Sequence, residues 1–385
     1  MIKKKFCIVS SSRADLGIMR NLIKKMQKIK NIKTDLVLTG GHLSKKFGNS
    51  KKEIIENKIK PNYEIKIPLL NNNSLQITQS SNVLLKKISE KFAKTKYDLI
   101  VLFGDRFEIF ISAYAATIFK IPIAHLSGGD ETIGSYDNQF RNAITKLAHV
   151  HFPTNNLSKR RIIQMGENPK NVFNYGSLSI ENVKNTTIIS KKELEKKFNL
   201  KFKEKNFVVT LHPETLGDLE TKKIKKVFNV IKKFKNIFFI FTASNQDEKG
   251  DKINTLISKF VKKNHNTSFV RSFGQTNLFN IYNIVDGVIG NSSSGVHEAP
   301  IFKIGTLNLG SRQQGRLGMK SIININFNEK KIEKGIKKIL SKNFKKKINK
   351  LNNPYYKRNS SELIIKKLKF ILKNKNILNK KFNQS

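Results

Sequence analysis

Five of the 28 acidic residues of this chain lie between positions 105 and 137, although Lys and Arg together number 74. Two of the five belong to "FGDRFE" and three to "HLSGGDETIGSYD". Each group directly follows a short apolar run that is typical of a buried strand. Carboxylates that are crowded into one site raise one another's pKa, so that one can act as an acid while another acts as a base. The spacing therefore predicts acid–base chemistry at the ends of two strands.

Asp105 is followed by Arg106, so its carboxylate is either held by an adjacent cation or serves as a catalytic base. Asp130, Glu131 and Asp137 follow the next strand, whose end lies beside the first in a parallel sheet. Metal binding is the competing role, because carboxylates are also ligands of Mg²⁺ and Mn²⁺. Since the acids show no regular ligand spacing and no DxD pair, no metal is predicted.

The segment "GNSSSGVHEAP", Gly290 to Pro300, has the composition of a phosphate-binding turn between a strand and a helix. Free backbone N–H groups at a helix N-terminus favour an anion, although a Ser-rich helix cap would look the same. Glu298 lies one helical turn beyond Ser294, where its carboxylate can reach a sugar diol next to that anion. Together these residues favour a nucleoside diphosphate. The NAD fingerprint and the P-loop signature are absent from the sequence.

Two further residues follow predicted strands. His212 in "TLHPET" can donate to a phosphate oxygen or act as an acid, although a lone His at a strand end is equally compatible with a structural role. Arg13 in "SSSRAD" has a planar fork that suits a diphosphate or a uracil edge, and Asp15 is positioned to hold it. The alternative for Arg13 is an ion pair on the surface of a loop.

Short β-rich runs alternate with longer runs of helical period, which predicts an α/β fold with two Rossmann-like, doubly wound domains. Residues 1–180 form the first domain in this interpretation, and residues 181–355 form the second. After Pro354, the segment 356–385 contains an amphipathic helix that we expect to pack back on the first domain.

The formal net charge of +46 makes nucleic acid or an anionic membrane a candidate partner. The lysines, however, recur along nearly every predicted helix between Ile, Phe and Val, as they do on solvated helix faces. We therefore expect no nucleic-acid and no membrane partner. Cys7 is the single cysteine and lies in an apolar run, which excludes a disulfide framework and suits the cytoplasm.

These motifs together resemble the hydrolysing UDP-N-acetylglucosamine 2-epimerases of bacterial sialic-acid and related nonulosonic-acid pathways. The matching segments include "SSSRADLG", "LTGGHLSKKFG", "VLFGDRFEIF", "HLSGGD", "YDNQFRNAITKLAHVHF", "HPET", "IGNSSSGVHEAP" and "LNLGSRQQGR". The resemblance implies a glycosyltransferase-B type fold with the active site in the cleft between the domains. It also implies UDP binding by the second domain, no metal, no redox cofactor, and a homodimer or homotetramer.

The resemblance further implies a role for each matching residue. The catalytic residues it implies are Asp105, Asp130, Asp137 and His212. The UDP-binding residues it implies are Arg13, Ser292, Ser293, Ser294, Gly295 and Glu298. The residues it places near the sugar are His42, Arg106, Arg141, Asn142 and Arg312. Two departures bear on the sugar: Asp130 followed by Glu131 replaces the family's usual Glu, and Asn142 stands where a His is common.

The implied reaction removes the C2 proton and UDP to give a 2-acetamidoglucal, and water then adds back with inversion at C2. UDP-N-acetylglucosamine is the expected substrate, and its product is N-acetylmannosamine. The alternative substrate is UDP-N,N'-diacetylbacillosamine, from the legionaminic-acid pathway, and a more distant alternative is a glycosyltransferase of the same fold. A cluster of carboxylates counts against transfer, which needs only one base.

Overall fold

The computed structural model describes residues 4–44, 54–55, 58–69, 73–133, 136–213, 221–244, 250–374 and 376–384. Chain contacts divide the protein into two compact units. The first unit comprises Met1–Asp130, Asp137–Asn182 and Tyr355–Ser385. The second comprises Glu131–Tyr136 and Val183–Pro354. Among the described residues, no helix is long and apolar enough to cross a bilayer.

Within the described part of the first unit, six parallel strands form one sheet. They are β1 (Lys4–Ser10), β2 (Ile32–Leu38), β3 (Tyr63–Glu64), β4 (Leu99–Phe103), β5 (Ile123–Leu126) and β6 (Val150–Phe152). Their spatial order is β3-β2-β1-β4-β5-β6. The central strands are continuous apolar runs because helices cover both faces of a parallel sheet.

The helices of the first unit pack on this sheet through their apolar faces. They are α1 (Arg13–Gln27), α2 (Ser74–Lys94), α3 (Phe107–Ile118), α4 (Asp137–Leu147), α5 (Asn156–Gln164) and α6 (Leu178–Lys184), and the chain returns near its end for a further helix, Ser360–Ile371. That last helix buries Ile364 and Leu368 in the same apolar cluster as Leu16 and Met19 of α1.

The second unit repeats this arrangement with its own parallel sheet. Its strands are β7 (Lys205–Thr210), β8 (Ile237–Thr242), β9 (Thr267–Val270), β10 (Gly287–Gly290), β11 (Gly305–Leu309) and β12 (Ile322–Ile325). Its helices are α7 (Lys191–Phe198), α8 (Thr221–Lys233), α9 (Gly250–Lys262), α10 (Gly274–Tyr282), α11 (Ser293–His297), α12 (Glu329–Leu340) and α13 (Lys342–Asn349). The helix Ser360–Ile371 is therefore α14. The order of the strands is β12-β11-β10-β7-β8-β9.

The predicted α/β fold with two Rossmann-like domains is confirmed. Two short strands, β3 and β12, lie at the sheet edges and escaped the sequence analysis. The run "VFNYGS" has the β-rich composition that predicts a strand, but in the structure it forms a single bridge, between Val172 and His151. An isolated bridge forms there because the segment continues toward α6 and does not stay beside β6.

Each sheet has one point at which the chain reverses its direction of winding. In the first unit this switch point lies between β1 and β4, and in the second it lies between β7 and β10. Ligands of open α/β sheets bind outside the carboxyl ends of the strands at such points. Arg13 and Asp105 follow the two strands of the first switch point, whereas His212 and the Ser-rich turn follow those of the second.

Candidate active site

A buried arginine on α4 connects the carboxylate segments of the first unit. Arg141 is 1% exposed, and its guanidinium forms an ion pair with Asp105. Its Nη1 donates to the Asp130 carbonyl oxygen at 2.8 Å and to Asn138 Oδ1 at 2.9 Å. Burial by itself lowers the pKa of Arg141, but the charges of three aspartates outweigh burial and raise it: Asp105, Asp130 and Asp137. The fold thus arranges the predicted acids around one cation.

The Asp130 side chain is fastened to the start of α5. Its Oδ1 accepts from Ser158 Oγ at 2.5 Å and from Asn155 Nδ2 at 3.4 Å. Glu131, the next residue along the chain, belongs to the second unit, where its side chain lies against Gly315. These two neighbours in sequence therefore belong to different units, and the Asp130 charge is one of the three that raise the pKa of Arg141.

Arg106 is the adjacent cation that the sequence suggests for Asp105, but the buried arginine that pairs with Asp105 comes from α4. The cation paired with Asp105 is Arg141, whereas Arg106 Nε lies 3.1 Å from Glu108 Oε2. Glu108 has no exposed surface, and burial raises the pKa of its carboxyl in spite of the Arg106 charge. Asn142 follows Arg141 on α4 and is half-buried.

His42 lies in a fully buried polar cluster at the start of α1. Its Nε2 is 3.7 Å from Asp15 Oδ1, and Asp15 also accepts from the backbone N–H groups of Ser11 and Ser12. Burial raises the pKa of Asp15, but His42 together with the hydrogen bonds from Ser11 and Ser10 more than offsets this effect and lowers the pKa. The carboxylate that the sequence offered as a partner for Arg13 therefore caps α1 and binds His42.

In the second unit, the Ser-rich segment forms a tight turn between β10 and α11. Gly290 has φ +138°, and a Cβ at this position would overlap the Thr210 carbonyl oxygen of β7. Only glycine fits this close approach of two strands. Ser292 is the N-cap of α11, and its hydroxyl accepts from the Ser294 N–H at 3.4 Å. The turn therefore presents the start of a short helix at the second switch point.

Ser293, Ser294 and Gly295 form the first turn of α11. The Ser294 hydroxyl lies 2.9 Å from the hydroxyl of Tyr282, the last residue of α10. The backbone N–H of Glu298 donates to the Ser294 carbonyl at 3.0 Å, so that Glu298 stands one turn above the serine, as the spacing predicts. Burial raises the pKa of Tyr282, and the negative charge of Glu298 raises it further. The Glu298 carboxylate is therefore close enough to Tyr282 for its charge to be felt there.

Asn291 joins three segments of the second unit. Its Oδ1 accepts from the His212 N–H at 2.7 Å, and its Nδ2 donates to the His212 carbonyl at 2.8 Å. Its own carbonyl oxygen accepts from Arg312 Nη1 at 3.2 Å and from Gln313 Nε2 at 2.8 Å. Burial, and then the Arg312 charge, hold the pKa of His212 well below its usual value, so that the imidazole is neutral. The site thus offers a neutral imidazole beside an arginine.

Sequence reasoning missed four residues that contact the carboxylate segments of the first unit or the Ser-rich turn of the second. They are His125, Tyr282, Asn291 and Gln313. Asn291 could have been predicted, because it lies in the Ser-rich segment and directly follows a strand, and the predicted site residues also follow strands. His125 stands inside an apolar run and looks like an ordinary core residue. In the part of the chain described here, no group of three His, Cys, Asp or Glu side chains is arranged to hold a metal ion.

Two parallel sheets flanked by helices, each with polar turns at its switch point, define a protein of two Rossmann-like domains of the glycosyltransferase-B type. The chain belongs to the UDP-N-acetylglucosamine 2-epimerase family, which it matches over residues 24–369. The resemblance drawn from the sequence motifs is confirmed, and the chain is an enzyme of this family.

Three relatives match this chain over 90% or more of its length. A Campylobacter jejuni GDP/UDP-N,N'-diacetylbacillosamine 2-epimerase (hydrolyzing) is 37% identical over 347 residues, which make up 90% of this chain and 90% of the relative. The Escherichia coli polysialic acid biosynthesis protein P7 is 34% identical over 375 residues, 97% and 95% of the two chains. The crystal structure of a Neisseria meningitidis UDP-GlcNAc 2-epimerase bound to UDP-GlcNAc shares the fold with a TM-score of 0.81 at 20% identity, covering 96% of this chain and 100% of that one.

Proposed function

We propose that this protein is a hydrolysing 2-epimerase that converts a UDP-linked 2-acetamido sugar into UDP and the free sugar inverted at C2. The observation that carries the proposal is the cluster of aspartates around Arg141 in a member of the UDP-N-acetylglucosamine 2-epimerase family. Proton transfer at C2 requires a placed base, because a C2 proton is barely acidic. The cluster supplies carboxylates in distinct environments.

In the first step, a carboxylate of the cluster takes the C2 proton while the C1–O bond to the diphosphate breaks. UDP leaves with the electron pair of that bond, and a C1–C2 double bond forms in the sugar. In the second step, water adds its hydroxyl to C1, and C2 receives a proton on the opposite face. Asp105 suits proton transfer, because its side chain is 24% exposed although Arg141 holds it in place. Preorganised charges of this kind are a large source of catalysis.

The second unit is suited to hold the departing UDP. The Ser-rich turn places the Ser292, Ser293 and Ser294 hydroxyls and the N-terminus of α11 together, where they can bind a phosphate, and Arg312 adds a positive charge. A neutral His212 can donate a hydrogen bond to the diphosphate without requiring a low pH. The Ser-rich turn, Arg312 and His212 would together stabilise the negative charge that develops on the leaving UDP.

The reaction is tested by incubating the protein with a UDP sugar in D₂O without any acceptor. We expect equal amounts of UDP and free sugar, and one deuterium at C2 of the product, because solvent replaces the abstracted proton. Product that forms at full rate without deuterium at C2 would contradict the elimination. A glycosyltransferase would instead leave the UDP sugar intact in this assay and consume it only after an acceptor sugar is added.

Two sugars are candidates for the substrate. UDP-N-acetylglucosamine follows from the sequence motifs, and the Neisseria meningitidis relative is named for it. UDP-N,N'-diacetylbacillosamine is favoured by the 37% identical relative from Campylobacter jejuni, which is named for this sugar. The two substrates differ at C4 and C6, where an amide and a methyl replace two hydroxyls. The ratio of kcat/KM for the two nucleotide sugars, measured in one buffer, decides between them.

Glu298→Gln is expected to weaken UDP binding while keeping the size of the side chain. Loss of a charge-assisted hydrogen bond to the ribose costs about 1.5 to 3 kcal/mol, or roughly 10- to 150-fold in Kd. Calorimetric titration with UDP measures this effect. Glu204→Gln in the same unit is the matched control, since that side chain is 85% exposed. An unchanged Kd in Glu298→Gln would remove Glu298 from the nucleotide site.

Asp130→Asn and Glu131→Gln separate the two adjacent acids. We expect Asp130→Asn to lose at least about 100-fold in kcat, because its charge belongs to the Arg141 cluster. Glu131→Gln should stay close to wild type, because the Glu131 side chain lies against Gly315 and glutamine keeps its size. Steady-state release of UDP from both variants gives the answer. If Glu131→Gln is inactive and Asp130→Asn active, Glu131 takes the place of the family's Glu.

A further inference from the structure

His125 lies between the Asp105 turn and helix α4. It is fully buried on β5. Its Nε2 is 2.8 Å from the carbonyl oxygen of Gly104, the residue before Asp105. Its Nδ1 is 3.1 Å from Thr145 Oγ1 on α4, the helix that begins at Asp137 and carries Arg141. One imidazole therefore contacts both elements that bear the carboxylate cluster.

The partners of the ring determine its protonation. A carbonyl oxygen only accepts, so Nε2 carries the proton and donates to Gly104. Nδ1 is then the acceptor, and the Thr145 hydroxyl donates to it. Burial lowers the pKa of His125 to about 3, in spite of its hydrogen bond to Gly104, so that the neutral form persists at any working pH.

A third segment, the turn at Gly128, also lies close to the His125 ring. A Cβ at Gly128 would lie 2.8 Å from His125 Nδ1 and 2.9 Å from Thr145 Oγ1. Gly128 belongs to the turn that leads to Asp130, so this turn lies directly against the imidazole. All three acid-bearing segments thus meet at one side chain.

From this geometry we infer that His125 is a positioning residue for the reaction, which fixes the Asp105 turn relative to α4 through its hydrogen bonds to Gly104 and Thr145. The inference rests on the proposed function, because it assigns His125 an effect on catalysis through Asp105 and Arg141. His125 does not exchange a proton with the sugar. A misplacement of about 1 Å in a catalytic group is enough to cost roughly 10²-fold in rate.

The test compares substitutions that keep or remove individual bonds. His125→Phe fills the space without either hydrogen bond, and we expect about a 10²-fold loss in kcat with little change in KM. His125→Gln places an amide N–H where Nε2 lies and restores the bond to Gly104, so most of the kcat should return. Thr145→Val removes only the other bond, keeps the shape of the helix, and should lower kcat by an intermediate factor.

His149→Phe is the matched control. His149 is also a histidine of the first unit with a pKa lowered by burial, to about 4, but its Nδ1 accepts from the Ile123 N–H at the amino end of β5, away from the acid-bearing turns. We expect this variant to lower Tm and to leave kcat unchanged. If His125→Phe does not fold, Thr145→Val and His125→Gln still report on the two bonds.

Two outcomes would overturn the inference. One is wild-type kcat in His125→Phe or in both of the other variants. The other is a loss of kcat that His125→Gln does not restore and that His149→Phe shares in proportion to Tm. Failure of the proposed function is recognised separately, because it would leave Asp105→Asn fully active. An inactive Asp105→Asn together with fully active His125 variants contradicts the positioning role alone.

Discussion

Asp105→Asn is expected to lower kcat by about 10² to 10⁴-fold, the range typical of lost acid–base catalysis, while the Kd for UDP stays unchanged. Asparagine has the size and shape of aspartate, and its amide oxygen can still accept from Arg141. It cannot take up a proton from C2. UDP lies with the second unit in our proposal, so calorimetric titration with UDP should give the wild-type value. Steady-state release of UDP measures the loss in turnover.

The matched control for this substitution is Asp98→Asn. Asp98 is an aspartate of the same unit, 30% exposed and paired with Lys4. It accepts from the Lys5 N–H near the amino ends of the strands, away from the predicted site. We expect it to keep wild-type kcat. Equal kcat values in Asp105→Asn and Asp98→Asn would show that Asp105 carries no proton in the reaction.

Arg141→Met is expected to destabilise the first unit more than any other single substitution considered for this protein. Breaking a buried ion pair typically costs about 3 to 5 kcal/mol, because the remaining charge is left uncompensated. Here the Asp105 carboxylate and the Asp130 carbonyl would each lose a donor. Urea unfolding followed by circular dichroism measures the change in the free energy of unfolding.

Two further variants make this result interpretable. Arg160→Met, on the exposed side of α5, removes the same side chain without a buried partner and should be near neutral. Arg141→Lys keeps the charge but not the planar fork, so it should lie between the two. If Arg141→Met is as stable as Arg160→Met, the Asp105 pair does not support the fold.

The fold could be predicted because its signals are local. Apolar runs such as "FCIVS" and "FVVT" have the length and composition of buried parallel strands, and the polar turns that follow them mark the carboxyl edge. The strands β3 and β12 could not be predicted because β3 is an exposed strand of two residues and β12 is only partly buried, and neither has a continuous apolar run. These two strands form because they pair with a neighbouring strand, and their own residues do not indicate that pairing.

Much of the candidate site could also be located, since its residues cluster after strands. Which side chain contacts which could not be predicted, because that depends on residues far apart in the chain. Arg106 is the obvious neighbour of Asp105 in sequence, yet the buried partner comes from α4, 36 positions away. His125 is hidden for the same reason, since nothing in "PIAHL" indicates that both ring nitrogens find partners on other elements.

The return of the chain to its first unit has a consequence for synthesis on the ribosome. The apolar face of α1, with Leu16 and Met19, shares an apolar cluster with Ile364 and Leu368 of α14, which are synthesised more than 340 positions later. Residues 183–354 emerge earlier, so the second unit is complete before the first. Vectorial synthesis usually lets the N-terminal domain fold first. In this chain, the first unit cannot bury the apolar face of α1 until α14 has been made, so this unit is the part that a chaperone would protect.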